Sequence, residues 1–140
     1  MKIILLSFVM LFSPFLGDET QVKKLLWEVQ RHFMLVQMPG FTRDQLVDAR
    51  AEIDLTLLPN SGIYIYGDTT YVPVKIKTAK QIRFLVSNKE VKTHDCKGDA
   101  IKAALIKLLP TINRYKIDGH FILLYSDKKL LIKAIAEDWD

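Results

Sequence analysis

The chain has 140 residues, 49% of them apolar and 26% charged, with a formal net charge of +4. That length supports one domain with a workable core, the composition excludes an intrinsically disordered chain, and the single cysteine, Cys96, excludes an internal disulfide. A modest positive charge does not by itself announce a nucleic-acid binder, yet nine Lys or Arg stand against three acids between Lys75 and Lys107, so the middle of the chain is basic and its flanks slightly acidic.

Residues 1–17 read as a hydrophobic leader. Nine large apolar side chains fall between Ile3 and Phe12, broken only by Ser7. Leaving them in water would forgo about 15–25 kcal/mol, so the run is cleaved off, held in lipid or packed. Lys2 before it, Pro14 and Gly17 after it, and then Asp18 and Glu19 follow the order of an export signal, with the charge polarity that leads to translocation. The cleavage site is irregular, because Phe15 stands where a small residue is normal if Gly17 ends the leader. As an anchor, the stretch from Ile3 to Leu16 would rise only about 21 Å against a core of about 30 Å. Export is the first expectation, a short anchor the second and a core element the third. The first two place the protein outside the cytoplasm, periplasmic or secreted and possibly membrane-anchored; the third keeps it cytoplasmic.

Residues 18–140 read as one α+β domain. Val22, Leu25, Leu26, Val29, Phe33 and Val36 recur at helical spacing and predict an amphipathic helix from Asp18 to Met38, stopped by Pro39-Gly40. Thr42 and Gln45 form a capping box, flanked by Phe41 and Leu46 as a hydrophobic staple, for a short helix from Arg43 to about Ala51. From Glu52 the period becomes two. Ile53, Leu55 and Leu57 alternate with polar residues, and strands follow at Ile63–Tyr66, Thr70–Lys77 and Gln81–Val86 between turns at Pro59-Asn60-Ser61-Gly62, Gly67-Asp68 and Ala79-Lys80. Asp99 to Leu109 predicts a third helix that buries Ile101, Ala104, Leu105 and Leu108 and ends at Pro110, and Gly119–Tyr125 with Lys129–Ala136 predicts a closing hairpin. The expected architecture is a mainly antiparallel sheet, a meander plus a C-terminal hairpin, packed with about three helices.

Strand parity supplies the candidate binding face. With Ile63, Ile65, Val72, Val74, Ile82 and Phe84 turned inward, Tyr64, Tyr66, Tyr71, Lys75, Lys77 and Arg83 turn outward. Rings interleaved with cations suit stacking on bases or sugars and holding phosphate or carboxylate; tyrosine and lysine also decorate ordinary solvent faces of sheets. His94, Asp95 and Cys96 carry metal-ligand atoms, with His120 a further candidate, but the second ligand pair of a structural zinc site is missing. Glu52 and Asp54 followed by Lys75 and Lys77 invite comparison with metal-dependent nucleases. Pro73, however, occupies the position where a carboxylate would have to precede Lys75. His32 flanks the apolar stripe of the first predicted helix and reads as a satisfied, partly buried side chain.

No catalytic motif and no cofactor site emerges: the chain lacks a Gly-rich phosphate loop, a Gly-x-Ser-x-Gly elbow and a His-Glu-x-x-His pair. The expectation is a non-enzymatic exported or membrane-tethered binding or assembly domain. Its partner would be a protein or an anionic ligand, with the membrane reached through the N-terminal segment. The alternative is an intracellular nucleic-acid-binding protein using the basic Tyr/Lys sheet face, and a small thiol enzyme built on Cys96 and a histidine is a third class.

Overall fold

The structure, a computed structural model, describes residues 27–87 and 98–138. The expected leader, most of the expected first helix, His94 and Cys96 lie outside these residues. In chain order the elements are β1 (His32–Gln37), α1 (Arg43–Asp48), β2 (Glu52–Asp54), β3 (Asn60–Ile65), β4 (Asp68–Ile76), β5 (Ile82–Phe84), α2 (Asp99–Leu108), β6 (Arg114–Asp118), β7 (Phe121–Ser126) and β8 (Lys129–Ala136).

The predicted first helix does not reach Met38. Residues 27–29 are helical, but the chain is extended from His32. Phe33 and Leu35 are sealed in the core while Met34 and Gln37 are exposed, so the period here is two. Val29, Phe33 and Val36 fit a helical stripe equally well, and pairing on both flanks decides for the strand: β1 lies between β2 and β8, antiparallel to each.

The strands form an eight-stranded sheet in the order β5-β4-β3-β2-β1-β8-β7-β6, every pair antiparallel. This order is the chain order wrapped past β1, so joining β5 to β6 would close an up-and-down barrel. Closure is almost reached. Gln81 bridges Arg114, Tyr115 N–H donates to the Lys80 carbonyl at 3.0 Å, and Ile82 N–H donates to the Asn113 carbonyl at 3.4 Å. Because this antiparallel bridge joins the starts of both strands, β5 and β6 run away from it in opposite directions and overlap nowhere else. The α+β, mainly antiparallel expectation therefore holds, with a near-barrel in place of a meander plus hairpin: β1 and β6 add strands that were not foreseen.

The helices follow their local signals. Thr42 Oγ1 accepts from Gln45 N–H and Gln45 Oε1 accepts from Thr42 N–H, which completes the capping box of α1. The helix stops at Asp48, short of Ala51. Its one turn and a half is anchored by Leu46, which is fully buried. In α2, Ile101 and Leu105 are buried; past Leu108 the chain tightens into a 3₁₀ turn, Leu109–Thr111, that accommodates Pro110. Gly98 starts α2 at φ +99°, and a Cβ there would meet the Tyr66 ring at 2.5 Å, so both backbone and packing demand glycine. The inward residues of the strands, α1, α2 and the 3₁₀ turn form one hydrophobic cluster, filling the interior with side chains as an eight-stranded ring permits.

If α2 belongs to that core, Leu105→Ala should lower stability by about 2–5 kcal/mol, whereas Lys107→Ala on its exposed side should change it by less than about 0.5 kcal/mol. Urea titration followed by circular dichroism measures both, and equal small effects would detach α2 from the core.

Candidate functional site

On β3 to β5 the predicted parity is present. Ile63, Ile65, Val72, Val74, Ile82 and Phe84 are buried, and Tyr71, Lys75 and Arg83 are exposed, with Lys75 directly opposite Arg83. The six predicted face residues nevertheless separate into different environments. Tyr64 covers Gly62, stacks on the His32 ring with centroids 5.4 Å apart, and donates to Asp54 Oδ2 at 3.4 Å. Tyr66 stands in the β3–β4 turn at φ +51°, its hydroxyl donating to Asp48 of α1 at 3.1 Å. Lys77 and Arg83 instead join a set of cations gathered where β5 meets β6.

That set follows from the near closure of the sheet. Lys77 and Lys80 lie in the β4–β5 turn, Arg83 on the outside of β5, Arg114 and Lys116 on the outside of β6, and Lys128 in the β7–β8 turn. They line two cavities, of about 490 and 420 Å³, that share Lys80, Arg114 and Asp127 and therefore adjoin. All six cations are exposed, and none has an ion-pair or side-chain hydrogen-bond partner among the described residues. The acid in the seam, Asp127, is engaged by Asn113. Its carboxylate accepts from Asn113 Nδ2 at 2.8 Å, and its backbone N–H donates to Asn113 Oδ1 at 2.9 Å. Tyr125 lines the smaller cavity beside the cations. Like charges gathered on one surface repel, so the gathering carries an electrostatic cost that an anion would relieve.

A second cluster lies on the outside of β2, β1 and β8. His32 pairs with Asp54 in the β1–β2 register, Met34 pairs with Glu52, and Phe33 pairs with Ala136, which brings Glu137 beside His32. The side chains meet: His32 Nε2 is 2.9 Å from Glu52 Oε2, and His32 Nδ1 is 3.5 Å from Glu137 Oε2. Glu137 N–H donates to the His32 carbonyl at 2.9 Å, which ties the residue after β8 to β1. Asp54 is buried and its oxygens are occupied, accepting from Thr56 N–H at 2.9 Å and Thr56 Oγ1 at 2.6 Å besides Tyr64. Burial pushes the Asp54 carboxyl up, but the Thr56 hydrogen bonds and His32 outweigh it and hold the group below its ordinary range. Glu137 moves the other way. Burial and a hydrogen bond shared with Glu52 raise it, against the pull of His32.

Beside this cluster opens a cleft of about 670 Å³ lined by Trp27, Arg31, His32, Thr56, Glu137 and Asp138 among others. Trp27 is 79% exposed there. Arg31 is committed to Asp138, which it grips through Nε at 3.0 Å and Nη2 at 2.7 Å; this guanidinium holds the Asp138 carboxyl below its ordinary range. His120, the further metal-ligand candidate and the one among the described residues, lies in the β6–β7 turn, where its carbonyl accepts from Ala136 N–H.

No protein-family model, curated protein or solved structure matches the chain. Both clusters must be argued from their own chemistry.

Reading the sequence missed Lys80, Arg114, Lys116 and Lys128 in the seam and the convergence of His32, Glu52 and Glu137. The signals were present. Arg114-Tyr115-Lys116-Ile117 alternates polar with apolar, and so does His32-Phe33-Met34-Leu35 if Met34 is allowed outward. Without both strands, neither convergence can be drawn.

Because the folded-state pKa of Glu137 is raised, its protonated form contributes stability that is present below the ordinary glutamate value of 4.5 and is lost as pH rises through the folded value. Glu137→Gln mimics the protonated form at every pH. In chelator-treated buffer the variant should melt higher than the native chain at pH 7.5, with the difference fading towards pH 4; the gain should be modest, since the side chain is 37% exposed. A variant less stable than native at pH 7.5 in thermal unfolding would refute this.

Proposed function

We propose that this chain is a non-enzymatic binding domain, exported or membrane-tethered, whose basic seam at the β5–β6 closure takes a polyanionic ligand. The observation that carries the reading is the set of six exposed cations, Lys77, Lys80, Arg83, Arg114, Lys116 and Lys128, around two adjoining cavities without an ion-pair partner among the described residues. Isolated solvated lysines would spread over a surface to reduce repulsion; these are drawn together by two turns and two strand edges. The hydrophobic leader motivates the location.

A second reading has its own support. Tyr125 stands among the seam cations, and a single-stranded nucleic acid uses that combination, stacking a base on the ring while its phosphates meet Lys and Arg. This reading requires an intracellular protein, with the leader folded into the core.

Binding of polyphosphate, an acidic polysaccharide and a labelled single-stranded oligonucleotide at 50 and 200 mM salt tests both. The seam predicts binding that weakens steeply with salt, and a Lys80→Glu/Arg114→Glu double variant should lose at least tenfold in affinity while remaining folded. For the oligonucleotide, neutralising one phosphate-contacting cation should lower the salt slope by about 1. Preference for the oligonucleotide selects the second reading. Absence of salt-sensitive binding to all three probes, or binding indifferent to the double variant, would overturn both.

A further inference from the structure

Across the sheet from the seam, we propose that His32, Glu52 and Glu137 form a binding site for one divalent first-row transition-metal ion, of which Zn²⁺ is the natural probe. One nitrogen of His32 and one oxygen from each glutamate lie within 4.8 Å of one another. Donors bound at 2.0–2.1 Å in a tetrahedral sphere stand about 3.3 Å apart. Glu52 meets His32 at Nε2, 2.9 Å away, and Glu137 meets it at the other nitrogen, Nδ1, 3.5 Å away, so an ion on one nitrogen finds one glutamate near that spacing and draws the other in from within 4.8 Å by a side-chain rotation.

Three features distinguish this set from acids that meet on a flexible surface. The first is its donor chemistry. An imidazole with two carboxylates is a mixed nitrogen and oxygen set, which suits Zn²⁺ and its neighbours and disfavours Mg²⁺ and Ca²⁺, whose ligands are oxygen.

The second is its placement. His32 and Glu52 project from paired strands, and Glu137 is pinned to β1 by its own backbone hydrogen bond to His32, so the spacing is set by sheet register rather than by loop motion. The third is support. The ring of Tyr64 stacks on His32 at an interplanar angle of 29°, fixing its orientation, and donates to Asp54. Asp54, with its oxygens taken by Thr56 and Tyr64, adds negative potential without competing as a ligand. Arg31, the cation lining the adjoining cleft, is neutralised by Asp138.

Three protein donors would leave at least one coordination position open, and two of the donor residues, His32 and Glu137, line the cleft beside Trp27 and Thr56. A metal here would be an open site able to take a further ligand, rather than a closed structural one.

The test uses the full chain, purified and treated with chelator, titrated with ZnCl₂ in a calorimeter, with MgCl₂ and CaCl₂ run in parallel. The expected result is one Zn²⁺ per chain at micromolar affinity or better, little or no heat from Mg²⁺ and Ca²⁺, and a raised thermal midpoint with excess Zn²⁺. His32→Gln and Glu137→Gln should each weaken binding at least tenfold, while Cys96→Ser and His120→Gln should leave it unchanged. If His32→Gln fails to fold, ¹⁵N chemical shifts of the imidazoles in the native chain provide the second measurement, and Zn²⁺ should move the His32 nitrogens and spare those of His120. Failure to bind Zn²⁺ at 100 µM, or binding lost in Cys96→Ser and retained in Glu137→Gln, overturns the site. Neither outcome touches the seam, whose residues are separate.

Discussion

The antiparallel ladder between β1 and β8 holds this fold together. β1 to β5 run consecutively along one arm of the sheet and β6 to β8 along the other, and among the described residues β1–β8 is the one full ladder joining them. Elsewhere the arms touch through the short bridge at Gln81 and Arg114. The ladder buries Phe33 and Leu35 of β1 against Ala134 and Ala136 of β8, a large-to-small match that lets two strands approach with their inner faces filled. A register shift between Leu35 and Gln37 bends β1 at the end of the ladder, the kind of irregularity by which sheets curl towards closure.

Both candidate sites are consequences of that ladder. It brings Glu137, almost at the C-terminal end of the described chain, against His32 near its beginning, and the β1–β2 register adds Glu52. By curling the sheet it also carries β5 and β6 together, where their outward cations and those of two turns have to share one surface. In an eight-stranded ring the β5–β6 seam lies opposite the β1–β2 pair. Acids and a histidine therefore occupy one side of the near-barrel, and cations without an ion-pair partner among the described residues the other. Such a separation orients an approaching anion towards the seam and a cation towards the cluster, and both effects fade as salt shortens the range of the field.

Sequence patterns revealed those parts of the fold in which local chemistry and tertiary pairing agree. The Thr42–Gln45 capping box, the helix from Asp99 and the inward set from Ile63 to Phe84 could be read directly, because each carries a signal that the rest of the protein does not override. Residues 32–37 could not. Val29, Phe33 and Val36 satisfy a helix while Phe33 and Leu35 satisfy a strand, and only the partners on either side choose between them. Tyr66 shows the same limit at one residue: alternation along β3 puts it outward on the strand, but the turn takes it at positive φ and gives its hydroxyl to Asp48. The basic face was legible in type and misplaced in extent. Lys77 and Arg83 could be chosen by parity, but Arg114, Lys116 and Lys128 reach them through a barrel closure that no local pattern encodes.

Native-state hydrogen exchange of the full chain tests the β1–β8 ladder most directly. If this ladder unites the two arms, amides along β1 and β8 should exchange only through global unfolding, with the same free energy and denaturant dependence as the most protected amides of β3 and β4. A separate, cheaper opening that frees β6, β7 and β8 together while β2 to β5 stay protected would contradict it: the two arms would then be independent, and neither site would owe its geometry to the ladder.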